Sequence, residues 1–410
     1  MEARASGAVA GGSPAPARPS GGTPDAWVLD TPRAVRAAAD LWPELGVSHP
    51  HAQPDFLLEV CAQRDEVVSP YVLVLARGGA PAGLAVGRLE DIRLRTRLGY
   101  REVYRPRVRS LSIVAGGLVG RDAERDQPAL VALVARALRL GEADVAGIPG
   151  ITVGTPAFEA ARRTPGRLAR PLAPAPAPRW SVALPDSPDE FLAARSSSWR
   201  QQLRRKQRRL SERYGDALQT NVLREPGDLD RVLDDLERVS AGTYKRGLGV
   251  GFERTPEQRA LVRLGLERGS YRAWVMSIEG RPRAFVDGYA QGDTFWLGTL
   301  AHDPDEEQRP LSIGTLLLAR AFADLCGEPA LHRFDFGSGD ADYKRRFGDE
   351  SHAEADLAMF APRPRPVAVN VVRSSLLAGA RGARRLLGGD RTRRLKRAWR
   401  ERLARKARAG

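Results

Sequence analysis

The chain has 410 residues, of which 42% are hydrophobic, and a formal net charge of +15. Its length predicts two domains with separate cores, and no uncharged apolar run approaches the roughly 18 residues that a membrane span needs. The first 25 residues are rich in Gly, Ala, Pro and Ser and lack the apolar core of a signal peptide, so residues 1–25 are predicted to be the disordered tail of a cytoplasmic protein.

The positive charge is concentrated in two segments. Residues 381–410 carry +11 and residues 195–213 carry +7, so the remainder of the chain carries −3. An anionic partner is therefore expected at these two segments.

No metal site and no disulfide is predicted. Cys61 and Cys326 lie far apart in the sequence and form no CxxC pair. His49 and His51 lie in a Pro-flanked loop without a third ligand, so we interpret them as packing residues.

An internal repeat organises the middle of the chain. Residues 73–88, LVLARGGAPAGLAVGR, align without gaps on residues 274–289, WVMSIEGRPRAFVDGY. Each copy predicts a β-hairpin with a Gly-x-Pro turn, followed by another apolar strand, an acidic turn and a helix. We therefore predict two tandem copies of one α/β unit, separated by a Pro/Ala linker at residues 171–179.

A helix is predicted to begin after Ser187, because SPDE is a capping box with proline at the first helical position. Further along, apolar and arginine side chains fall on two separate helix faces, at Trp199, Leu203, Leu210 and Tyr214 and at Arg200, Arg204 and Arg208. Such a row of arginines can bind phosphates or carboxylates bidentately. A solvated basic face is the alternative interpretation.

The second copy differs from the first where an anion would bind. Gly314 lies in the first turn of its predicted helix, where the alignment places Leu130 in the first copy. A glycine lets an anion approach the N–H groups of a helix start, whereas a leucine blocks it. Asp287 likewise aligns with Val86. We interpret the second copy as active and the first as structural; a chance glycine at a helix start is the alternative.

The segment FDFGSGDADYKRRFGDE, residues 334–350, predicts a strand end, a tight glycine loop and a short helix. The helix would present Tyr343 and Lys344 beside the strand end. An ordinary surface turn needs neither a phenol nor an ammonium group there, so we interpret this loop as part of a site.

Five stretches carry a family resemblance: SSSWRQQLRRKQRRL, TYKRGLGVGF, RPRAFVDGYAQGDTFWLGTLAHDP, LSIGTLLL and FDFGSGDADYKRRFGD. They are similar to motifs of the GNAT superfamily of N-acetyltransferases. More narrowly, the chain resembles the tandem CelD-type (cellulose biosynthesis protein CelD-like) acetyltransferases, relatives of the FemABX aminoacyl transferases. The resemblance covers most of residues 48–349. It departs from the usual Gln/Arg-x-x-Gly-x-Gly/Ala motif, because here Arg309 is followed by Gly314 and Thr315.

The resemblance implies an α/β (α+β) fold of two tandem GNAT-like domains, each a mixed, mostly antiparallel sheet flanked by helices. Residues 26–178 would form the structural copy and residues 179–365 the acyltransferase domain. Residues 366–410 would form a basic amphipathic tail.

The resemblance also implies an enzyme, an N-acyltransferase that moves an acetyl or other acyl group directly from acyl-CoA to an amine without a metal. Asp287 would act as base or orient the amine, and Tyr343 would protonate the leaving thiolate. The donor would contact Thr299, Leu300, Ala301, Arg309, Ser312, Ile313, Gly314 and Thr315. The acceptor and other anionic groups would contact Arg200, Arg204, Lys245, Asp335, Asp340 and Lys344. A turn-facing charge and a packed ring are the alternatives for Asp287 and Tyr343.

The tail has a helical pattern of its own. Leu395, Trp399 and Leu403 recur every fourth residue among arginines, which is typical of a basic amphipathic helix. An anionic membrane surface is the first predicted partner and nucleic acid the second; a disordered counter-charge tail is the alternative. The expected location is thus the cytoplasm, with peripheral attachment at the inner face of the membrane.

Two other functions remain open. A FemABX-like enzyme would use aminoacyl-tRNA and a cell-wall precursor, although no charged heptad run indicates the coiled-coil insertion common in those enzymes. A non-catalytic protein would bind anionic surfaces through the two basic segments. The acceptor is open among sugar amines, peptides and polyamines, and nucleic acid in the active site is expected only as tRNA.

Overall fold

The computed structural model describes residues 26–98, 101–164, 166–171, 176–243, 251–303 and 311–387. The strands are β1 (Ala26–Leu29), β2 (Val67–Arg77), β3 (Ala80–Arg93), β4 (Thr96–Leu98), β5 (Arg101–Tyr104), β6 (Arg107–Gly120), β7 (Val145–Thr152), β8 (Ala177–Ala183), β9 (Leu218–Leu223), β10 (Tyr271–Ile278), β11 (Arg281–Gln291), β12 (Thr294–His302), β13 (Arg333–Ser338) and β14 (Glu350–Phe360). The helices are α1 (Pro32–Ala37), α2 (Leu41–Glu44), α3 (Pro54–Gln63), α4 (Ala123–Leu140), α5 (Pro156–Arg163), α6 (Pro188–Ala193), α7 (Ser197–Tyr214), α8 (Leu229–Ala241), α9 (Pro256–Glu267), α10 (Ile313–Leu325), α11 (Asp342–Phe347) and α12 (Pro364–Leu387).

Twelve of the described strands form one continuous sheet in the order β1-β2-β3-β6-β7-β14-β8-β13-β12-β11-β10-β9. Neighbouring strands pair antiparallel except β6 with β7 and β12 with β13, which are parallel. Strands β4 and β5 form a separate hairpin. The sheet is thus mixed and mostly antiparallel, with helices on its faces, as the resemblance implied.

The two halves of the sheet repeat one unit. Each has a hairpin (β2–β3 and β10–β11), a third strand (β6 and β12), a helix (α4 and α10) and a fourth strand parallel to the third (β7 and β13). Gly79 and Gly280 occupy matching turn positions with φ of 81° and 72°, a left-handed conformation that favours glycine. The predicted repeat is confirmed by these elements.

The predicted match between Gly314 and Leu130 is wrong. Gly314 is the second residue of α10, but α4 begins at Ala123, so Leu130 lies about two turns inside that helix and is buried. A proline usually marks the first turn of a helix. Pro128 instead lies inside α4, and for this reason the sequence suggested a later start.

Each half has an apolar core on both faces of the sheet. In the first half, α4 covers one face and α1 to α3 the other. In the second half, α10 with α6 and α7 covers one face, while α8 and α9 cover the other. Phe322 of α10 stacks on Phe334 at 4.5 Å and on Phe191 at 4.8 Å between ring centroids. Burying each such ring contributes about 1.5–3 kcal/mol.

The basic segment after Ser187 forms two helices. The Ser187 hydroxyl accepts a hydrogen bond from the Glu190 N–H, so Ser187 caps the start of α6, where the SPDE segment predicted a helix to begin. A second cap, Ser196, begins α7. The apolar side chains predicted on one face of α7 do pack against the α10 core: Trp199, Leu203, Leu210 and Tyr214.

Strand β14 joins the two halves. Its residues Glu350–Glu354 pair with β8, and its residues Glu354–Phe360 pair with β7 of the first half. The expected domain boundary after residue 178 falls inside β8, whose first residues were predicted as linker. Within the described ranges, none of the helices has both the length and the hydropathy to cross a bilayer.

His49 and His51 form a second junction between the halves. The His49 ring lies 4.5 Å from the Trp296 ring of β12, and His51 lies 6.4 Å from the Tyr289 ring of β11, between centroids. A Cβ at Gly116 would lie 2.2 Å from the His49 Cβ, so only glycine fits there. Both histidines therefore pack between the repeats.

Burial, followed by the nearby charges of His51 and Arg179, lowers the pKa of His49 to about 3. The folded chain keeps this imidazole neutral, whereas the unfolded chain protonates it below about pH 6.5. Because the folded-state pKa is the lower one, the stability from this site is complete above pH 6.5. It is lost progressively as the pH falls towards 3.

We expect His49→Gln to flatten part of the loss of stability in acid. Between pH 6.5 and 5, the free energy of unfolding of the wild type should fall more steeply than that of the variant, by up to about 1.4 kcal/mol per pH unit. Urea unfolding at pH 7, 6 and 5 measures this difference, with substitution of the exposed His352 as control. Equal slopes for His49→Gln and wild type would contradict the assignment.

Candidate functional site

The parallel strands β12 and β13 separate partway along their length. They pair at three positions, the last with Trp296 opposite Asp335, but β12 continues to His302 and β13 to Ser338. An extra residue in β12 forms a bulge beside the gap. Gly298 in this bulge is exposed, although it belongs to an interior strand of the sheet. The separation therefore opens the sheet between its two faces.

A cavity of about 290 Å³ lies where the end of β12 meets the starts of α10 and α11. Its walls are Leu300, His302, Asp303, Ser312, Ile313, Gly314, Thr315, Asp342, Tyr343 and Arg346. Five predicted donor-site residues and the predicted acid are among them: Leu300, Ser312, Ile313, Gly314, Thr315 and Tyr343. The structure thus brings residues from three separate elements into one cavity.

Close packing explains the glycine at the start of α10. A Cβ on Gly314 would lie 3.1 Å from the His302 Nδ1, closer than most Cβ contacts. Ser312 precedes this helix with φ of 53° and ψ of 49°, a left-handed conformation that is costly for serine. Backbone strain of this kind concentrates at functional sites.

Lys206 of α7 is a site residue that the sequence analysis missed. Its Nζ donates to the Ser312 Oγ at 2.7 Å. Burial, and then the charge of Arg346, lowers the pKa of Lys206. Two cations therefore flank the start of α10, which carries a partial positive charge of its own. The sequence did hold one indication of this position, because Lys206 is a single lysine on the same helix face as Leu203 and Leu210.

In the first half of the chain, a carboxylate occupies the corresponding helix start, which is that of α4. The fully buried Asp126 accepts hydrogen bonds from the Asp122 N–H at 3.0 Å, from Arg77 at 2.7 Å and from Arg125 at 3.2 Å. Burial alone would raise the pKa of Asp126, but these hydrogen bonds outweigh it and lower the pKa. An internal anion thus occupies this helix start, which supports a structural role for the first copy.

Asp287 lies within β11, buried on the face of the sheet opposite α10. Its Oδ1 accepts from the Thr299 N–H at 2.6 Å, and its Oδ2 accepts from the Tyr271 hydroxyl at 2.9 Å. The N–H of Thr299, a predicted donor contact, is therefore bonded to Asp287. Ala301, predicted beside it, packs in the core of this same face.

Aromatic side chains surround Asp287. The Tyr289 ring lies 5.0 Å from the Tyr271 ring and 5.2 Å from the Phe56 ring, with His51 beyond, between centroids. Burial, and then the charge of Asp287, raises the pKa of both tyrosines, so both hydroxyls stay protonated. A carboxylate among aromatic rings is an environment that attracts an ammonium group.

Two buried side chains hold the glycine loop after β13. Asp335 accepts from the Gly337 N–H at 2.6 Å and from the Arg179 Nε at 2.8 Å. The Lys344 Nζ donates to the carbonyl oxygens of Gly337 and Ser338 at 2.9 and 2.7 Å. These contacts fix the position of α11. They do not support the substrate-binding roles of Asp335 and Lys344, which stay predictions.

The other predicted substrate residues do not meet in the cavity. Arg200 donates to three carbonyl oxygens at the end of α6 and so caps that helix. Arg204 is exposed on the outer face of α7, and Asp340 forms a surface ion pair. Arg309 and Lys245 lie outside the described residues. In the part of the chain that the structure describes, no group of three His, Cys, Asp or Glu side chains could hold a metal.

Residues 197–345, in the second half of the chain, match the family model of the acetyltransferase (GNAT) domain. This confirms the broader part of the resemblance, and the fold described above is the one that it implied. The narrower CelD-type assignment stays a prediction. None of the curated proteins matches the chain.

Several solved structures are similar to this chain at low identity. The C-terminal domain of a putative lysylphosphatidylglycerol synthetase from Agrobacterium fabrum is 14% identical, with 84% of this chain and 96% of that chain covered and a TM-score of 0.47. FemX is 12% identical, with 73% and 90% covered and a TM-score of 0.49. A tandem GNAT protein from the clavulanic acid biosynthesis pathway is 14% identical, with 83% and 99% covered and a TM-score of 0.47.

We expect Lys206→Met to weaken binding of CoA, the donor that the resemblance implies, by about tenfold or more, because a charge-assisted hydrogen bond contributes about 1.5–3 kcal/mol. Lysine is charged below its pKa. The pKa of Lys206 is lowered from 10.5. As the pH rises, Lys206 should therefore lose its charge at a pH below 10.5. Calorimetry at pH 7 and 9.5 should show a loss of affinity in the wild type that Lys206→Met lacks.

The matched control is Arg204→Met, which removes a charge from the exposed face of the same helix. It should bind CoA as the wild type does. An equal pH dependence in wild type and Lys206→Met would exclude Lys206 from the donor site.

Proposed function

We propose that the chain is an N-acyltransferase that moves an acyl group, in the simplest case acetyl, from acyl-CoA to an amine by direct transfer. One observation carries the proposal. Near the separation of β12 and β13, the start of α10, Arg346 and the Tyr343 phenol line one cavity, and Lys206 bonds to its wall residue Ser312. The GNAT domain match over residues 197–345 supports the same class of donor.

The cavity residues fit an anionic thioester donor. Lys206 and Arg346 supply positive charge, and the N–H groups of the first turn of α10 supply hydrogen bonds to phosphate oxygens. Leu300 and Ile313 offer apolar surface to the uncharged part of the donor. The bound donor would supply an activated carbonyl carbon, and the chain's part is to hold and align it.

The acceptor amine would reach that carbonyl from the opposite face, through the gap beside Gly298. Asp287 would attract the ammonium form there and orient or deprotonate the nitrogen. The ammonium group first loses one proton, to Asp287 or to solvent. The neutral amine then attacks the carbonyl carbon, a nitrogen–carbon bond forms and the carbon–sulfur bond breaks, and the second proton lost by the nitrogen balances the one taken up by the sulfur. Tyr343, on the donor side, would give the leaving thiolate its proton.

A FemABX-like transfer from aminoacyl-tRNA is the second candidate, and the outer face of α7 favours it. Five arginines are exposed on this helix, whose inner face carries Lys206 beside the cavity wall: Arg204, Arg205, Arg208, Arg209 and Arg213. A row of that kind suits a polyanion larger than CoA. Mass spectrometry of the ligand that co-purifies with the protein would separate the candidates. CoA would support the first, and a nucleotide-linked sugar the second.

We expect Gly314→Leu to abolish binding of acetyl-CoA without unfolding the protein. The leucine would press on His302 and fill the helix start that the donor phosphates need. Gly379→Leu is the matched control, because a Cβ at that position meets nothing within 4 Å. Calorimetry on both variants, with thermal melts to verify folding, tests the proposal. Undiminished binding by a folded Gly314→Leu protein would overturn it.

We expect Tyr343→Phe to lower kcat by roughly 10²-fold or more while KM changes little, because the variant keeps the ring and loses only the proton donor. Tyr214→Phe, in the same core but outside the cavity wall, should keep the wild-type kcat. Steady-state kinetics with an amine found by acceptor screening would measure both. A wild-type kcat for Tyr343→Phe would remove the acid role from this residue.

A further inference from the structure

Helix α12 leaves apolar side chains uncovered on its outer face. Its buried side chains, Pro366, Val369 and Asn370, point towards the body of the protein. Val371 and Val372, by contrast, are 48% and 43% exposed. The outer face continues through small residues, Ala368, Ser375, Ala378 and Gly379, all of them exposed.

The elements beside α12 extend this apolar face. The Asn370 Nδ2 donates to the carbonyl oxygens of Leu168 and Arg170, at 2.9 and 2.8 Å, and so fixes the turn at residues 167–169 against the helix. Leu168 on this turn is 70% exposed. Strand β4 of the β4–β5 hairpin also packs on α12, and the partner strand β5 exposes Val103.

These side chains form a cluster. Eight large apolar residues are exposed in the described residues, and four of them lie on α12 or on elements that touch it: Val103, Leu168, Val371 and Val372. We call this set the α12 surface. Exposed apolar patches of this kind mark sites of interaction with proteins or membranes.

Charge decides which partner fits the α12 surface. Residues 362–389 contain six arginines and no acidic residue. Arg167 and Arg170 flank the exposed Leu168, and the sequence after Leu387 adds ten Lys or Arg residues and two acids. A second copy of the chain would present the same positive charge and be repelled. Nucleic acid would match the charge but would gain little from exposed Val and Leu side chains.

We propose that the α12 surface docks on an anionic lipid bilayer. The apolar side chains of the α12 surface would enter the boundary between headgroups and acyl chains, and the arginines around them would meet the lipid phosphates. The proposal does not depend on catalysis, because the α12 surface shares no residue with the cavity.

Sedimentation of the full-length protein with vesicles tests this proposal. Wild type should bind vesicles of phosphatidylcholine and phosphatidylglycerol, and not vesicles of phosphatidylcholine alone. Binding should weaken in 0.5 M salt, where the charges are screened. The variant Val371→Asp/Val372→Asp should bind the anionic vesicles at least about tenfold more weakly than the wild type, because it places two carboxylates at the lipid interface.

The matched control is Val68→Asp/Val222→Asp, which makes the same charge change at two exposed valines, on β2 and on the edge strand β9, away from α12. It should bind the anionic vesicles within about twofold of wild type, and thermal melts should show that both variants fold. Equal vesicle binding by the two double variants would overturn the proposal. So would a Val371→Asp/Val372→Asp protein that changes from dimer to monomer, or loses RNA binding, with vesicle binding unchanged.

Discussion

One half-buried guanidinium connects the strands around which the site is built. Arg179 of β8 donates to Asp335 of β13 at 2.8 Å and to Glu354 of β14 at 3.3 Å, and its guanidinium lies over the Trp296 ring of β12 at 5.5 Å. Both carboxylates are buried, and each would cost several kcal/mol without a partner. Strand β13 stays paired with β8 as far as Ser338, beyond the point where it leaves β12. The pairing of β13 with β8, on the side of β13 away from the gap, therefore keeps the gap between β12 and β13 open.

The two repeats show how one backbone plan gives two different helix starts. In the first half, the Asp126 carboxylate occupies the start of α4 and is itself neutralised by two arginines. In the second half, the start of α10 faces a cavity and is flanked by Lys206 and Arg346. The electrostatic preference of a helix start for an anion is the same in both. One copy satisfies it internally, and the other leaves it facing the cavity.

Local patterns predicted the elements well, because their causes lie within a few residues. The repeat gave the hairpins, SPDE gave the start of α6, and the segment at residues 334–350 gave the strand end and the short helix, with Gly337 and Gly339 at φ of 70° and 96°. The cavity walls at Gly314 and Tyr343 came from the family motif. These features need no knowledge of which strands pair over long distances.

Contacts between segments that are distant in the chain could not be predicted from the sequence. Lys206 belongs to the site because α7 crosses the start of α10, and Arg200 caps α6 because a break separates that helix from α7. The spacing of residues along the chain predicts neither of these two contacts. The Leu130 alignment failed for another reason, namely that Pro128 lies inside α4, where its usual positional meaning does not hold.

The path of β14 has a consequence for the synthesis of the chain. The first half cannot complete its sheet until residues 354–360 exist, about 200 residues after β7 has been made. At roughly 5–20 residues per second, β7 would remain an unpaired edge for about 10–40 s. Such an edge is prone to pair with other chains. Pro149 and Gly150 interrupt β7, and a register shift in β14 accommodates them, with the Gly150 N–H bonded to Asp356. The folded sheet tolerates this irregularity. Before β14 is made, the same irregularity would make the unpaired edge of β7 a poor partner for a strand of another chain.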